Sequence, residues 1–131
     1  MRPGPSNCCI TFYCLTLLVF FGCSKPAHPP PQISTADRIV VATNQIHALN
    51  LAVTGDEASK VVKALAASKE DKASYSAMFD WDLQLYAGTN LLTVVHFQDR
   101  IFMLGNTQYV DNTGVLAAFY KKLESEEESR R

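Results

Sequence analysis

The segment FDWDLQLY, residues 79–86, alternates apolar and polar side chains along its whole length. Side chains two residues apart lie on the same face of a β-strand, so this alternation predicts a strand with one buried face. The face predicted to be buried consists of Phe79, Trp81, Leu83 and Leu85. The intervening acids Asp80 and Asp82 are predicted to lie together on the opposite, solvated face.

Three more strand-like segments follow at short intervals. They are LLTVVHF (91–97), IFML (101–104) and TQYV (107–110), and they are separated by AGTN, QDR and GN. Turns this short join antiparallel neighbours. The sequence therefore predicts a four-strand antiparallel meander.

Two segments before the meander also have strand character. RIVVAT (38–43) is rich in β-branched residues, and LNLAVT (49–54) alternates apolar with polar or small residues. We predict one or two short strands there, able to pair as a hairpin.

Two helices are predicted in addition to the strands. Residues 55–68 carry apolar side chains such as Leu65 at helical spacing, and Thr54 and Glu57 have the spacing of a capping box. Residues 113–124 repeat the helical spacing. The predicted fold class is therefore α+β, an antiparallel four-strand meander with two packed helices, preceded by one or two short strands.

Composition limits the classes of function. The chain has 131 residues, of which 47% are hydrophobic and 19% charged, and its formal net charge is -1. These values fit one small domain, and because the sequence has no basic stripe, nucleic acid is not an expected partner. All four cysteines precede residue 24. The predicted domain therefore contains no disulfide, cysteine nucleophile or cysteine metal site.

The first 22 residues have the anatomy of a signal peptide. Arg2 gives a positive start, an apolar run extends from Ile10 to Phe21, and the small residue Gly22 follows. A helix of about a dozen residues rises only about 18 Å, less than the roughly 30 Å hydrocarbon thickness of a bilayer. Export with cleavage is therefore predicted, rather than a permanent membrane span.

The end of this run, FFGC followed by SK, resembles the lipobox of bacterial lipoproteins. In that family a small residue precedes the cysteine that becomes the new N-terminus. Gly22 and Cys23 match, whereas two phenylalanines stand where the family usually has Leu and then a small or β-branched residue. The resemblance implies lipidation of Cys23, with membrane lipid as the partner of this residue. In a Gram-negative source, Ser24 after the cysteine implies sorting to the outer membrane.

The remaining boundaries follow from composition. Residues 23–36 contain four prolines and are predicted to form a lipid-anchored, Pro-rich tether, extended at about 3.1 Å per residue and able to reach up to about 40 Å. Residues 37–124 are the predicted α+β domain. Residues 125–131, SEEESRR, are predicted to be a disordered acidic tail because they contain no apolar side chain.

The candidate chemical site is the set Asp80, Asp82 and His96. Strand periodicity places the two acids on one face, and the histidine lies near the neighbouring turn. Carboxylates and an imidazole can bind a metal ion or transfer protons. The alternative, that the acids mark a solvated strand face, is the one expected, so neither a catalytic residue, a metal nor a cofactor is predicted. His47 is isolated in the sequence and is not expected to be a ligand.

These observations predict an exported, lipid-anchored bacterial envelope protein. Its domain is expected to be a binding or structural module rather than an enzyme. An envelope protein or polymer could bind to the polar face of the sheet or to an edge strand. The alternative function is a small metal-assisted or acid/base enzyme that uses Asp80, Asp82 and His96.

Overall fold

A computed structural model describes residues 28–72 and 79–131 of the chain. The predicted signal peptide (1–22), the predicted lipidation site Cys23 and the start of the predicted tether lie outside the described residues. In chain order the elements are a 3-10 helix (Pro31–Thr35), β1 (Arg38–Ala42), β2 (Leu51–Val53), α1 (Gly55–Ala67), β3 (Lys69–Glu70), β4 (Trp81–Ala87), β5 (Asn90–Gln98), β6 (Ile101–Leu104), β7 (Thr107–Val110) and α2 (Val115–Ser129). The α+β class is confirmed.

The seven strands of the described residues form one antiparallel sheet in the order β2-β1-β4-β5-β6-β7-β3. The strand count differs from the predicted four-strand meander, which corresponds to β4 through β7. The predicted hairpin, β1 with β2, joins the same sheet because Ile39 of β1 pairs with Leu85 of β4. The short charged strand β3 pairs with β7 at the other edge, where its polar side chains can remain in water.

Strand β4 lies near the middle of the sheet and buries the face that the alternation predicts. Trp81, Leu83 and Leu85 are fully buried, and Phe79, which precedes the strand, is half-buried. Their side of the sheet forms the core with apolar residues from both helices. The alternation in residues 81–85 is therefore the alternation between core and opposite face.

Helix α1 begins at Gly55 and buries Leu65 completely, as its spacing predicts. The prediction of a capping box is wrong, because the Thr54 side chain makes no hydrogen bond to the helix. Gly55 has a positive φ of 67° between Thr54 and the first turn, which differs from the geometry of a hydroxyl N-cap. Glu57 instead forms an ion pair with Lys122 of α2.

Helix α2 continues to Ser129, beyond the predicted end at residue 124. The prediction of a disordered tail over 125–131 is therefore wrong for most of that segment. Glu127 is only 8% exposed and takes the next position on the buried side of the helix, four residues after Leu123. A charged side chain continues the buried face where the apolar pattern stops.

The prediction of an extended tether is also wrong for residues 28–36. Pro31 begins the 3-10 helix, where its missing N–H costs nothing, and Ile33 is 1% exposed in the core. The imidazole of His28 hydrogen bonds through Nδ1 to the carbonyl oxygen of Ser68 (2.9 Å). The domain therefore begins by residue 28 rather than at 37.

The side of the sheet opposite the core is called the open face below. In the part of the chain that the structure describes, the helices lie on the core face. The open face carries the strand side chains that alternate with the buried ones. Val40, Gln84, Val94 and Met103 are half-buried there, and His96 is exposed. The open face is thus a mixed polar and aliphatic surface.

Candidate functional site

The loop between β1 and β2 is fixed against the start of β4 by Asn44. Its Oδ1 accepts hydrogen bonds from the backbone N–H groups of Ile46 (2.9 Å) and His47 (2.8 Å), which closes a tight turn. Its Nδ2 donates to the carbonyl oxygen of Asp80 (2.9 Å). This turn places the His47 side chain beside the start of β4.

His47 lies between two carboxylates. Its Nε2 is 2.8 Å from Oδ2 of Asp80, and its Nδ1 is 2.8 Å from Oε1 of Glu127. Ionised carboxylates only accept hydrogen bonds, so beside ionised Asp80 and Glu127 both ring nitrogens donate and the ring is an imidazolium. The side chains of all three residues are at most 14% exposed. We call these three residues the His47 cluster.

Neighbouring groups complete the shell of the His47 cluster. The backbone N–H of Ala48 donates to Glu127 Oε2 (2.9 Å), and Arg131 is 3.4 Å from Oε1 of the same carboxylate. The hydroxyl of Tyr120 lies 3.4 Å from Oδ2 of Asp80. Each carboxylate therefore has polar partners besides the imidazolium.

The imidazole ring of His47 stacks on Trp81, with ring centroids 3.7 Å apart and planes within 5°. A cation over the face of an indole is attracted to its π electrons. The indole Nε1–H is buried and has no acceptor within the described residues. Trp81 therefore supports the cluster through its ring face, from inside the core.

The pKa shifts agree with a charged cluster. Burial alone would lower the pKa of His47, but its hydrogen bonds to Asp80 and Glu127 and their negative charges raise it above its ordinary value. The hydrogen bond from His47 lowers the pKa of Glu127 against the opposing effect of burial. Burial and the charge of Asp80 raise the pKa of Tyr120.

The geometry makes the His47 cluster a clamp rather than a proton-transfer site. Both nitrogens of His47 are engaged, so the ring cannot accept a proton or bind a metal ion without breaking a hydrogen bond. The three residues come from the β1–β2 loop, the start of β4 and the last turns of α2. The cluster therefore ties together segments that are far apart in the sequence.

The predicted set Asp80, Asp82 and His96 is divided by the structure. Asp80 binds His47 and is not on a solvated face, whereas Asp82 lies on the open face, where its Oδ1 is 2.5 Å from Nδ1 of His96. Asp82 also accepts from Asn44 Nδ2 (3.2 Å). Among the residues described, no group of three or more His, Cys, Asp or Glu side chains is placed to hold a metal ion.

Sequence reasoning did not identify the residues that cooperate in this cluster. His47 is 33 residues from Asp80 and 80 residues from Glu127, so no local pattern connects them. One signal in the sequence could have indicated that Glu127 is buried: it follows the buried Leu123 of α2 by one helical turn.

Among the described residues, two concave surfaces lie near the ends of the helices. A groove of about 560 Å³ runs between α1 and α2, with Val61 and Phe119 at its base and the Glu57 and Lys122 ion pair at its rim. A smaller cleft of about 230 Å³ lies beside Glu127 and is lined by Ile46, Ala48, Leu49, Glu127, Arg130 and Arg131. Water in the smaller cleft can reach the outer side of the His47 cluster.

No protein family, curated protein or solved structure matches this chain. Across the described ranges, 28–72 and 79–131, no helix is both long and apolar enough to span a bilayer.

Proposed function

We propose that this chain is a lipid-anchored bacterial envelope protein whose α+β domain is a binding module. The anchoring half of the proposal is supported by Gly22 and Cys23 at the end of the apolar run. Two or three acyl chains on one cysteine would hold the domain stably at a membrane surface. Export and, in a Gram-negative source, placement in the outer membrane belong to the same proposal.

The observation that carries the binding half is the open face. It presents Gln84, Val94, His96 and Met103 side by side on neighbouring strands, because Gln84 pairs with Val94 and His96 pairs with Met103. Non-obligate protein interfaces are about as apolar as the rest of a protein surface, so a mixed polar and aliphatic face is compatible with such an interface. The partner class that fits is an envelope protein or polymer.

Cross-linking in membranes tests the binding role. The lipidated protein is cross-linked in cells of its source and purified, and its partners are compared with those of Met103→Lys, which puts a charge on the open face. Ser125→Lys is the matched control, since it adds the same charge to the exposed side of α2. We expect the native and control proteins to retain the same partner and Met103→Lys to lose it. Cross-links that are unchanged in a folded Met103→Lys protein would contradict the proposal.

A second candidate function is acid/base chemistry at Asp82 and His96. The carboxylate holds Nδ1 of the imidazole, and the His96 side chain is 49% exposed, so solvent reaches the ring. This is the arrangement of an oriented general base. Asp80 takes no part, because it is bound to His47. A hydrolytic activity that persists in His96→Gln would argue against this candidate.

A further inference from the structure

The chain makes contact with the domain from residue 28 onward, within the segment that was predicted to be a free tether. The hydrogen bond from His28 to Ser68 fixes residue 28 beside the end of α1, and Pro29 is buried. The 3-10 helix then inserts Ile33 into the core. Residues 28–36 therefore belong to the folded domain.

Docking at residue 28 leaves a short link to the proposed lipid. Only residues 24–27 lie between Cys23 and His28. A fully extended chain spans at most about 3.3–3.6 Å per residue, so the Cα atoms of Cys23 and His28 can be no more than about 18 Å apart. The headgroup layer itself takes up several ångströms of this distance. The part of the domain near His28 is therefore held close to the membrane.

The surface around this docking point consists of the last two turns of α1, the edge strand β3 and the two residues that follow it. Its exposed charged side chains are basic, and the intervening acids Glu70 and Asp71 are half-buried. Flexible lysine side chains can extend their ammonium groups toward phosphate oxygens. The exposed lysines are Lys63, Lys69 and Lys72.

We propose that the β3 edge of the sheet and the adjoining end of α1 lie against the phospholipid headgroups of the membrane that carries the lipid anchor. Lys63, Lys69 and Lys72 face the headgroup phosphates. The opposite edge, formed by β2 and the β1–β2 loop, points away from the membrane. This inference rests on the proposed lipidation of Cys23 and adds an orientation to it.

Headgroup-specific quenching tests the orientation. The lipidated full chain is reconstituted in vesicles of phosphatidylglycerol and phosphatidylcholine that contain a quencher attached to the headgroup. A fluorophore is placed at Lys69→Cys or, as the matched control on an exposed residue of the β1–β2 loop, at Gln45→Cys. We expect several-fold stronger quenching at position 69. A second label at Lys63→Cys covers the possibility that the β3 substitution disturbs folding.

The outcomes separate this inference from the proposed function. Mass spectrometry before reconstitution shows whether Cys23 carries lipid, and its absence would refute the lipid anchor itself. Lipidated protein with equal quenching at positions 69 and 45 would overturn only the orientation. Lys63→Gln combined with Lys72→Gln should reduce the quenching at position 69, and unchanged quenching would refute the role of the lysines.

Discussion

Removing the Glu127 carboxylate should measurably destabilise the domain. In Glu127→Ala, the Nδ1–H of His47 and the N–H of Ala48 lose their acceptor, and these hydrogen bonds are 2.8 and 2.9 Å long in the native protein. The His47 imidazolium keeps Asp80 on its other side. The substitution therefore opens one half of the clamp.

The magnitude follows from the two lost hydrogen bonds. Each bond to a charged group contributes about 1.5–3 kcal/mol net, and an upper estimate for the pair is therefore about 3–6 kcal/mol. The cleft beside Glu127 admits water to the freed donors, which reduces the penalty. We expect the free energy of unfolding to fall by about 2 kcal/mol, which lowers Tm by roughly 8 °C or more in a domain of this size.

Urea unfolding followed by tryptophan fluorescence measures the change. Trp81 is the single tryptophan of the chain and stacks on His47, so its emission reports on the cluster directly. Glu128→Ala is the matched control, because Glu128 is the exposed neighbour in the same helix. The control should change stability by less than about 0.5 kcal/mol.

Equal stability of Glu127→Ala and Glu128→Ala would refute this reasoning. A double-mutant cycle with His47→Ala provides the second criterion, since residues in direct contact couple by about 0.5–3 kcal/mol. Additive effects of His47→Ala and Glu127→Ala would show that the carboxylate and the imidazolium do not stabilise each other.

Three further changes should have measurable effects, at the His47 cluster, at Cys23 and in α1. The free energy of unfolding should be highest between about pH 4.5 and 6.5, because the Glu127 contribution is lost as pH falls through its lowered pKa and the His47 contribution is lost as pH rises through its raised pKa. Urea titrations across this range check it, and a flat profile would contradict it. Cys23→Ala should abolish metabolic labelling with a palmitate analogue, and retained label would count against lipidation at this residue. Leu65→Asp should cost at least about 3 kcal/mol by burying a charge in the core, whereas Lys63→Asp on the exposed side should not, and equal melting midpoints by circular dichroism would oppose the helix assignment.

Local periodicity was sufficient to locate the centre of the fold. The two-residue alternation around Trp81 predicted the buried face of β4, because one face of that strand is covered and the other is not. The helical spacing around Leu65 predicted α1 to within one residue at its end. In both cases a single element shows a regular pattern because it borders the core on one side.

The edges of the sheet and the His47 cluster depend on distant partners and could not be predicted in this way. The two residues of β3 are both charged, and they become a strand only because Val110 and Tyr109 of β7 offer backbone partners. The sequence shows no partner for His47. Its two carboxylate partners are Asp80, which immediately precedes β4, and Glu127, which lies in a segment without apolar residues. A cluster of buried charged side chains produces no hydrophobic periodicity in the sequence that could reveal it.

Both outer parts of the sheet require strands that come later in the chain. Strand β1 pairs with β4, and β3 pairs with β7. The β1–β2 hairpin alone would be marginally stable in water, because a two-stranded ribbon buries too little surface. A chain that emerges with its N-terminus first therefore cannot complete the sheet until the last meander strand has followed. For the exported protein proposed here, this order of strands along the chain favours late folding. The polypeptide then remains unfolded during translocation and completes its sheet afterwards.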